Sequence, residues 1–392
     1  MDRFGAIQSP GQTRKNGAPR FAFILIYQLL MYYDSVMKFL MVTLGSIGDL
    51  FPFLAVGEAL RQRGHTVVIA SNAGYGALVK MAGFEFAAIW ERSQQSLDGI
   101  IALDPRRAWA VVREEMFVPA TAPARDFIAH QARSGPCTVL ASWTAFGARL
   151  AHAELGVPLC TVYLSPGAVR EDNGHKADST THRNIGFFPD WFGDPPAGVE
   201  PAGFAMLDDA LVPALPAELE SFLGQGTPPV VFTPGSFMRG ANVFFRESLA
   251  ACEALNLRAV FLTPYREQLP ARLPARVMYF NYVSLQRLAP RSAALVHHGG
   301  IGTCAQGLRA GIPQLVTPVF FDQPDNAARL AALGVSDGIS AGAYSKDEAA
   351  AKLQALMDSE LVKQNCLRVR AHLEAQEPVR RICDIAESMV WS

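Results

Sequence analysis

Short, continuous apolar runs alternate along the chain with segments in which apolar residues recur every three or four positions. Residues 38–44 form such a run, followed by a glycine turn at 45–48, helical spacing at 53–63 and a second apolar run at 66–70. Strand, turn, helix and strand make a βαβ unit, and strands that are apolar throughout are typical of parallel sheets covered on both faces. The pattern predicts a doubly wound α/β domain that begins near Met37.

The alternation continues through the first half of the chain and restarts after residue 229. The first half also contains predicted strands at 138–141 and 159–164, with a helix at 145–155 between them. The second half contains predicted strands at 230–232, 259–262, 277–280, 294–296 and 314–316, and a helix at 243–255. We therefore expect two Rossmann-like domains facing across a cleft, where open α/β sheets bind ligands at the C-terminal ends of their strands.

Prolines mark the boundary between the two halves. They recur at positions 189, 195, 196, 201, 213, 216, 228 and 229. Proline lacks the backbone N–H that regular structure needs, so this density predicts a linker. The resulting division is an N-terminal domain at 37–190, a linker at 191–228, a C-terminal domain at 229–370 and a helix within 371–392, for which we consider a return to the N-terminal domain.

The first 36 residues fit neither domain. A polar beginning leads into the apolar run 21–33, which is shorter than the roughly 20 residues that span a bilayer. A cleaved signal peptide would place small residues where this sequence has Tyr32, Tyr33 and Asp34. We expect residues 1–36 to be a non-native or disordered extension that comes from a start codon assigned too early. A signal or membrane anchor is the alternative.

Composition narrows the class of protein further. Half of the residues are hydrophobic and 18% are charged, which excludes a disordered chain or a coiled coil. The net charge of −1 carries no electrostatic footprint for nucleic acid. Six cysteines stand far apart without zinc-ligand spacing, so we expect buried thiols and a cytoplasmic protein. Peripheral association with the inner face of the membrane is kept as an alternative location.

The densest chemical signal is Val296-His297-His298-Gly299-Gly300-Ile301-Gly302-Thr303, which follows a predicted strand and opens a predicted helix. Glycines let backbone N–H groups approach an anion, and a helix N-terminus adds partial positive charge, so the segment suits a diphosphate. An imidazole can donate a hydrogen bond to a phosphate oxygen without a metal. The alternative is a glycine-rich turn that only tightens the packing of strand against helix.

The neighbouring segments complete a recognisable pattern. Gly311-Ile312-Pro313 precedes a strand, Asp322-Gln323 follows it, and Gly45-Ser46-Ile47-Gly48-Asp49 stands near the N-terminus. This set resembles the donor-binding signature of family 1 nucleotide-sugar glycosyltransferases of the GT-B fold, and it extends from about residue 37 to residue 357. Segments 147–152 and 188–192 are most similar to the bacterial rhamnosyltransferases of rhamnolipid synthesis and to UDP-glucosyltransferase-like proteins.

The resemblance implies a donor site in the C-terminal domain and an acceptor site in the N-terminal domain. The donor-binding residues it implies are Gly235, Ser236, Tyr282, Val283, His298, Gly299, Gly300, Gly302, Thr303, Asp322 and Gln323. His298 and the helix N-terminus would hold the diphosphate, and Asp322 and Gln323 would bind sugar hydroxyls. Tyr282 would stack on the base, although the proline and glutamine usual after it are absent.

Asp49 stands where bacterial relatives place the general base for the acceptor hydroxyl, so Asp49 and His298 are the predicted catalytic residues. Burial that raises the pKa of the Asp49 carboxyl would favour this role. The alternative is that Asp49 caps a helix beginning near Pro52, and both roles are compatible. Ser46 and Ser165 are the expected acceptor contacts. No metal ligand and no cofactor are expected beyond a UDP- or dTDP-sugar co-substrate, because the chain lacks a D-x-D motif.

The leading hypothesis is an inverting, metal-independent bacterial hexosyltransferase that acts on a hydroxyl of a hydrophobic small molecule or lipid. Only about 20 residues, 167–186, stand where relatives usually carry a longer acceptor-binding insertion. This shortening keeps a catalytically weak, nucleotide-sugar-binding auxiliary subunit as the alternative. An NAD-dependent oxidoreductase is disfavoured because Gly45 and Gly48 do not complete G-x-G-x-x-G. The oligomeric state, the sugar and the acceptor stay open.

Overall fold

The chain folds around two parallel β-sheets. The computed structural model describes residues 36–91, 105–171, 181–193, 197–209, 212–236 and 238–389. The first sheet has the order β3-β2-β1-β4-β5-β6-β7. Its strands are β1 Lys38–Val42, β2 Thr66–Asn72, β3 Glu85–Trp90, β4 Thr138–Ser142, β5 Leu159–Tyr163, β6 His182–Gly186 and β7 Glu200–Pro201. The predicted extension at 1–36 lies outside the described residues, apart from Val36.

The second sheet repeats the arrangement with six strands in the order β10-β9-β8-β11-β12-β13. These strands are β8 Val230–Thr233, β9 Ala259–Leu262, β10 Val277–Phe280, β11 Ala294–His297, β12 Gln314–Val316 and β13 Ser336–Gly338. Every strand pair in both sheets is parallel. Two Rossmann-like α/β domains in series are therefore confirmed.

Helices connect the strands on both faces of each sheet. In the first half they are α1 Ile47–Gln62, α2 Gly76–Met81, α3 Pro105–Val112, α4 Thr121–Arg133, α5 Phe146–Leu155, α6 Pro166–Glu171 and α7 Ala217–Leu223, with a π-helical turn at Arg113–Phe117. In the second half they are α8 Asn242–Ala254, α9 Leu285–Leu288, α10 Ile301–Ala310, α11 Gln323–Ala332, α12 Lys346–Asp358, α13 Glu360–Glu374 and α14 Pro378–Glu387. Short 3₁₀ turns occur at Ala73–Tyr75, Asp190–Phe192, Arg266–Gln268, Ala289–Arg291 and Ala341–Ala343.

The segment predicted as a linker contains regular structure. Strand β7 pairs with β6 through Ile185 opposite Glu200 and Gly186 opposite Pro201, so the first sheet extends beyond residue 190. Pro201 is tolerated here because β7 is an edge strand, and a backbone N–H group on the outer side of an edge strand has no neighbouring strand to which it could donate a hydrogen bond. Helix α7 also lies inside the predicted linker. The segment predicted as a linker at 191–228 therefore includes a strand of the first sheet and a helix.

The C-terminal helices reach both domains. Helix α13 packs against α10 of the second domain, whereas α14 packs against α1 of the first. Arg63 Nη1 lies 2.7 Å from both Asp384 Oδ1 and Glu387 Oε2. His65 Nε2 lies 2.8 Å from Glu387 Oε1. The end of the chain thereby joins the second domain to the first.

Hydrophobic clusters lie on the faces of each sheet, and one further cluster takes residues from both domains. This shared cluster includes Trp143, Tyr163 and Phe188 from the first domain and Leu308 and Val316 from the second. All six cysteines are free and buried, which confirms their predicted place in the core. No helix in the described part of the chain is long and apolar enough to cross a membrane.

Gly147 provides a test of the packing between α4 and α5. A β-carbon added there would lie 2.1 Å from the carbonyl oxygen of Thr121 and 2.7 Å from the backbone nitrogen of Arg125. Alanine normally stabilises a helix interior relative to glycine by about 1 kcal/mol. Here we expect Gly147→Ala to lower the free energy of unfolding by about 1–3 kcal/mol, because the two helix backbones must separate.

Denaturant unfolding measures this change. Gly342→Ala is the matched control, because a β-carbon at Gly342 would meet no atom within 4 Å. Equal stabilities for Gly147→Ala and the wild type would contradict the close approach of α4 and α5.

Candidate functional site

One cavity of about 460 Å³ lies between the C-terminal ends of the two sheets. It collects side chains and glycine turns from both domains. The residues predicted as site residues that line it are Ser46, Asp49, Ser165, Gly235, Ser236, Tyr282, Val283, His298, Gly300, Gly302, Thr303, Asp322 and Gln323. Gly299 does not line the cavity: its N–H donates to His297 Nδ1 and its carbonyl accepts from Asn326 Nδ2. Gly299 therefore shapes the turn without facing the cavity.

Asp49 lies in the first turn of α1, inside a capping box. Ser46 is the N-cap, and its hydroxyl accepts from the backbone N–H of Gly48 at 3.2 Å. Asp49 Oδ2 accepts from the backbone N–H of Ser46 at 2.6 Å and from its hydroxyl at 2.7 Å. The alternative considered above, in which Asp49 is the N-cap of a helix beginning near Pro52, is wrong in its position: Ser46 is the N-cap, and Asp49 is the N3 residue of the capping box. The helix begins at Ile47, because the Ser-x-x-Asp pattern satisfies both ends of the box.

The Asp49 carboxyl has a perturbed acidity. Burial raises its pKa from 3.8 to about 6, although the hydrogen bonds from Ser46 oppose the shift. The negative charge of Asp322 on the facing wall contributes to the rise. Asp49 is therefore a carboxylate near neutral pH that accepts a proton more readily than an ordinary aspartate.

The two adjacent histidines point in different directions. His297 ends β11 and is completely buried, with Nε2 2.9 Å from Gln314 Oε1. Its Nδ1 accepts the backbone N–H of Gly299 at 3.1 Å. Burial lowers the pKa of the His297 imidazole to about 3, so the ring is neutral and holds the turn together. His298 instead lines the cavity.

The His298 ring lies in a cradle of glycines. β-Carbons at Gly235 and Gly300 would come within 2.9 and 2.5 Å of the ring, so larger residues would displace it. Burial lowers the pKa of His298 to about 4, which makes the imidazole neutral at pH 7. Its Nδ1 is buried and has no hydrogen-bond partner among the residues that the structure describes. The ring is thus held in place with hydrogen-bonding capacity left over.

Helix α10 begins beside His298. Its N-cap is Gly300, which supplies no side-chain cap, and its first turn contains no acidic residue. The N–H groups of a helix start without such partners form an anion site, and the helix dipole adds to the attraction. The residues around His298 and Gly302 therefore fit a phosphate or diphosphate group.

Asp322 and Gln323 form the start of α11. Asp322 Oδ2 accepts from Asn326 Nδ2 at 2.9 Å, and the carboxylate also accepts a hydrogen bond from Ser165 of the first domain. Burial raises the pKa of the Asp322 carboxyl. Gln323 Oε1 accepts from the backbone N–H groups of Val319 and Phe320 at 2.9 and 3.2 Å. Its Nε2 is the group left to face a ligand.

The contact with Asp322 changes the interpretation of Ser165. This serine is 1% exposed, so its hydroxyl connects the two domains. The sequence predicted an acceptor contact for Ser165. The contact with Asp322 was not predicted, because the two residues are more than 150 positions apart and no local pattern joins them. Tyr282, by contrast, is 57% exposed at the rim of the cavity.

The apolar wall of the cavity was not predicted from the sequence. Trp109 and Trp143 stack with ring centroids 5.1 Å apart, and Trp143 stacks in turn on Tyr163 at 6.5 Å. Phe117 packs beside Trp109, and Phe321 approaches Trp109 from the second domain. Trp109, Phe117, Trp143 and Phe321 all line the cavity. Tryptophans on two separate elements were the available signal, but nothing in the local sequence joins them.

The described part of the chain contains no group of three or more His, Cys, Asp or Glu side chains placed to hold a metal ion. The polar groups that line the cavity are two carboxylates, one neutral imidazole, several hydroxyls, an uncapped helix start and the side-chain amides of Asn281, Gln286, Gln306 and Gln323. This set can bind an anion on one wall and accept a proton on the other.

Family models match both halves of the chain. Residues 39–171 match the glycosyltransferase family 28 N-terminal domain. Residues 253–389 match the erythromycin biosynthesis protein CIII-like C-terminal domain. A curated relative is O-mycaminosyltylonolide 6-deoxyallosyltransferase of Streptomyces fradiae, which is 27% identical over 90% of this chain and 97% of its own length.

Solved structures share the fold. Spinosyn rhamnosyltransferase SpnG complexed with thymidine diphosphate superimposes with a TM-score of 0.71 at 20% identity, covering 89% of this chain and 100% of its own. The complex of SpnG with spinosyn aglycone gives the same TM-score, identity and coverage. These likenesses concern the two-domain architecture.

Replacing each of the two histidines by alanine should change the free energy of unfolding by different amounts. His297→Ala leaves a cavity and unpairs buried groups of Gln314 and Gly299, so we expect it to lower the free energy of unfolding by about 2–4 kcal/mol. His298→Ala opens onto the cavity and should change it by less than about 1 kcal/mol. Denaturant unfolding at pH 7 measures both variants.

The pH dependence of the free energy of unfolding provides a second test of the role of His297. The pKa of His297 is about 3 in the folded protein against 6.5 for an ordinary histidine, so the unfolded chain binds more protons between these values. This histidine therefore lowers wild-type stability as the pH falls from 6.5 toward 3. A larger loss of stability for His298→Ala than for His297→Ala would contradict the assignment.

Proposed function

We propose that this chain, which is a glycosyltransferase of the GT-B fold, transfers a hexose from a dTDP- or UDP-sugar to a hydroxyl of a hydrophobic acceptor, with inversion at the anomeric carbon. The family matches and the fold confirm the predicted resemblance and the prediction of an enzyme. The observation that carries the finer proposal is that one cavity holds Asp49 on one wall and His298 with the α10 N-terminus on the other.

The second domain would bind the donor. The α10 N-terminus and His298 would receive the diphosphate, and the neutral imidazole would donate a hydrogen bond as negative charge develops on the leaving group. The carboxylate of Asp322 and the Nε2 group of Gln323 suit hydroxyls of the sugar, since one accepts hydrogen bonds and the other donates them. A dTDP-sugar is the first choice of donor, because the solved structure of SpnG, which is 20% identical to this chain, is a complex with thymidine diphosphate.

The first domain would activate the acceptor. Both hydrogen bonds from Ser46 end on Asp49 Oδ2, which leaves Oδ1 to accept the proton of an acceptor hydroxyl. As that oxygen bonds to the anomeric carbon, the bond from carbon to the phosphate oxygen breaks, and the nucleoside diphosphate leaves. Attack and departure on opposite sides of one carbon invert its configuration.

The chemistry of the cavity also favours a hydrophobic acceptor. Trp109, Met116, Phe117 and Trp143 form its wall on the side of Asp49. Apolar and aromatic walls with few polar groups are typical of small-molecule sites. The relative from Streptomyces fradiae is named for transfer to O-mycaminosyltylonolide, and a solved structure of SpnG is a complex with spinosyn aglycone. We therefore expect a natural-product aglycone or a lipid as the acceptor.

A donor and acceptor panel tests the proposal. Melting shifts with dTDP-glucose, dTDP-rhamnose and UDP-glucose would select the donor, since a ligand at 100 times its Kd stabilises by about 2.7 kcal/mol. Transfer to hydroxylated aromatic, macrolide and lipid acceptors would follow, with the anomeric configuration of the product read by NMR. Donor binding without transfer or hydrolysis would support the auxiliary-subunit alternative, and a product with retained configuration would contradict the mechanism.

Asp49→Asn should remove the base and keep the fold. The amide oxygen can still accept from Ser46, so donor affinity and melting temperature should change little. Transfer should fall by about 10²- to 10⁴-fold. In the wild type, kcat/KM should rise as the pH increases through about 6, because only the ionised carboxylate accepts a proton, and this rise should be absent from the variant.

Ser46→Ala is the matched control for this profile. It removes hydrogen bonding that favours the ionised Asp49, so the rise in kcat/KM should move to higher pH while the residual activity stays far above that of Asp49→Asn. Transfer by Asp49→Asn at the wild-type rate would place the base elsewhere.

His298→Ala should lower the transfer rate by about 10²- to 10³-fold, comparable with the loss of one oxyanion-hole donor. The measurement is kcat/KM with saturating acceptor and varied donor. His298→Gln retains an N–H donor and should recover part of the rate. Full activity of His298→Ala would show that the leaving group is stabilised by other residues.

A further inference from the structure

Phe321 has an unusual backbone conformation next to Asp322. Its φ is +57°, in the left-handed region, and the only other non-glycine residue with positive φ in the described chain is Asn256 at +53°. Asparagine tolerates this region because its side chain can form a local hydrogen bond, whereas a bulky phenylalanine adopts it rarely. The conformation costs free energy, so contacts around Phe321 must maintain it.

The ring of Phe321 packs on the opposite domain. It meets Trp109 edge to face, with centroids 6.4 Å apart and planes at 83°. Phe321 also packs against the hydrophobic cluster that contains Leu40, Val139 and Leu159 of the first domain. A loop of the second domain thus places one aromatic side chain in the packing of the first.

The backbone on both sides of Phe321 is hydrogen-bonded to the first turn of α11. Gln323 Oε1 holds the N–H groups of Val319 and Phe320. On the other side, the carbonyl of Asp322 accepts from the backbone N–H of Asn326 at 2.9 Å. Segment 319–323 therefore forms a short bridge between the domains. Its middle residue, Phe321, packs on Trp109 of the first domain, and its last two residues are Asp322 and Gln323.

We propose that Phe321 is a positioning residue that couples the aromatic wall of the first domain to the sugar-binding residues of the second. Packing of its ring on Trp109 maintains the left-handed backbone, and that backbone directs the Asp322 carboxylate and the Gln323 amide into the cavity. Trp109 in turn stacks on Trp143, so a displacement of the aromatic wall of the first domain would also displace segment 319–323. This inference rests on the proposed role of Asp322 and Gln323 in binding the donor sugar.

The coupling predicts a selective defect. Asp322 and Gln323 would contact only the sugar, whereas the diphosphate would lie on the α10 N-terminus. Loss of the Phe321 ring should therefore weaken the sugar-dependent part of donor binding by about tenfold, the scale of one aromatic pair, and leave the affinity for the nucleoside diphosphate unchanged. A general loss of structure would weaken both.

The experiment measures the dissociation constants of dTDP, dTDP-glucose and dTDP-rhamnose by calorimetry for the full chain and its variants. Phe321→Gly removes the ring and lets the segment fold, but glycine adopts positive and negative φ about equally readily, so nothing then holds the backbone in the left-handed region. Phe321→Tyr keeps the ring and should retain sugar discrimination. Asn256→Gly is the matched control, because it makes the same kind of substitution at the other left-handed position.

Trp109 completes the test as a double-mutant cycle. Trp109→Ala should produce the same selective defect as Phe321→Gly, and the double variant should be no worse than either, because all three lack the same contact. Trp109→Phe keeps an aromatic partner and serves if the alanine variant is unstable.

The outcomes separate this inference from the proposed function. A wild type that binds none of these nucleotides contradicts the proposed donor site itself. A wild type that binds dTDP and the dTDP-hexoses equally contradicts sugar recognition by Asp322 and overturns the coupling. A wild type that discriminates sugars, with Phe321→Gly discriminating them equally well, overturns the coupling alone.

Discussion

The hydrophobic cluster shared by the two domains sets the distance between the two halves of the cavity. Trp143 and Tyr163 from the first sheet pack with Leu308 and Val316 from the second, and this contact leaves the C-terminal ends of both sheets facing each other. Parallel strands bring their loops to one edge, so each domain presents its chemistry there. Two further contacts join the domains. The Ser165 hydroxyl donates a hydrogen bond to the Asp322 carboxylate, and α14 packs against α1.

Burial changes the acidity of the ionisable groups in the cavity. The two carboxylates on opposite walls, Asp49 and Asp322, have raised pKa values because each is poorly solvated. The His298 imidazole is kept neutral for the same reason. No lysine or arginine is among the described residues that line the cavity, so the N-terminus of α10 is the feature that would attract an anion there.

The sequence predicted features that depend on local pattern. Apolar runs closed by glycines predicted most of the central strands, and the segment around His298 predicted an anion site at a helix start. Strand β7 was missed because Pro201 is tolerated only at an edge, and edge position is a tertiary property. The start of α1 was placed six residues late, because the capping box of Ser46 and Asp49 was not used. The contacts of Phe321 with Trp109 and of Ser165 with Asp322 join residues far apart in sequence, so no spacing could predict them.

The central claim is that the donor and the base meet in one cavity between the domains. A crystal structure with a bound dTDP-hexose tests it most directly. We expect the diphosphate oxygens to contact His298 and the N–H groups at the start of α10. We expect the sugar hydroxyls to contact Asp322 and Gln323, and the anomeric carbon to face Asp49. A diphosphate bound away from α10, or a sugar turned away from Asp49, would contradict it.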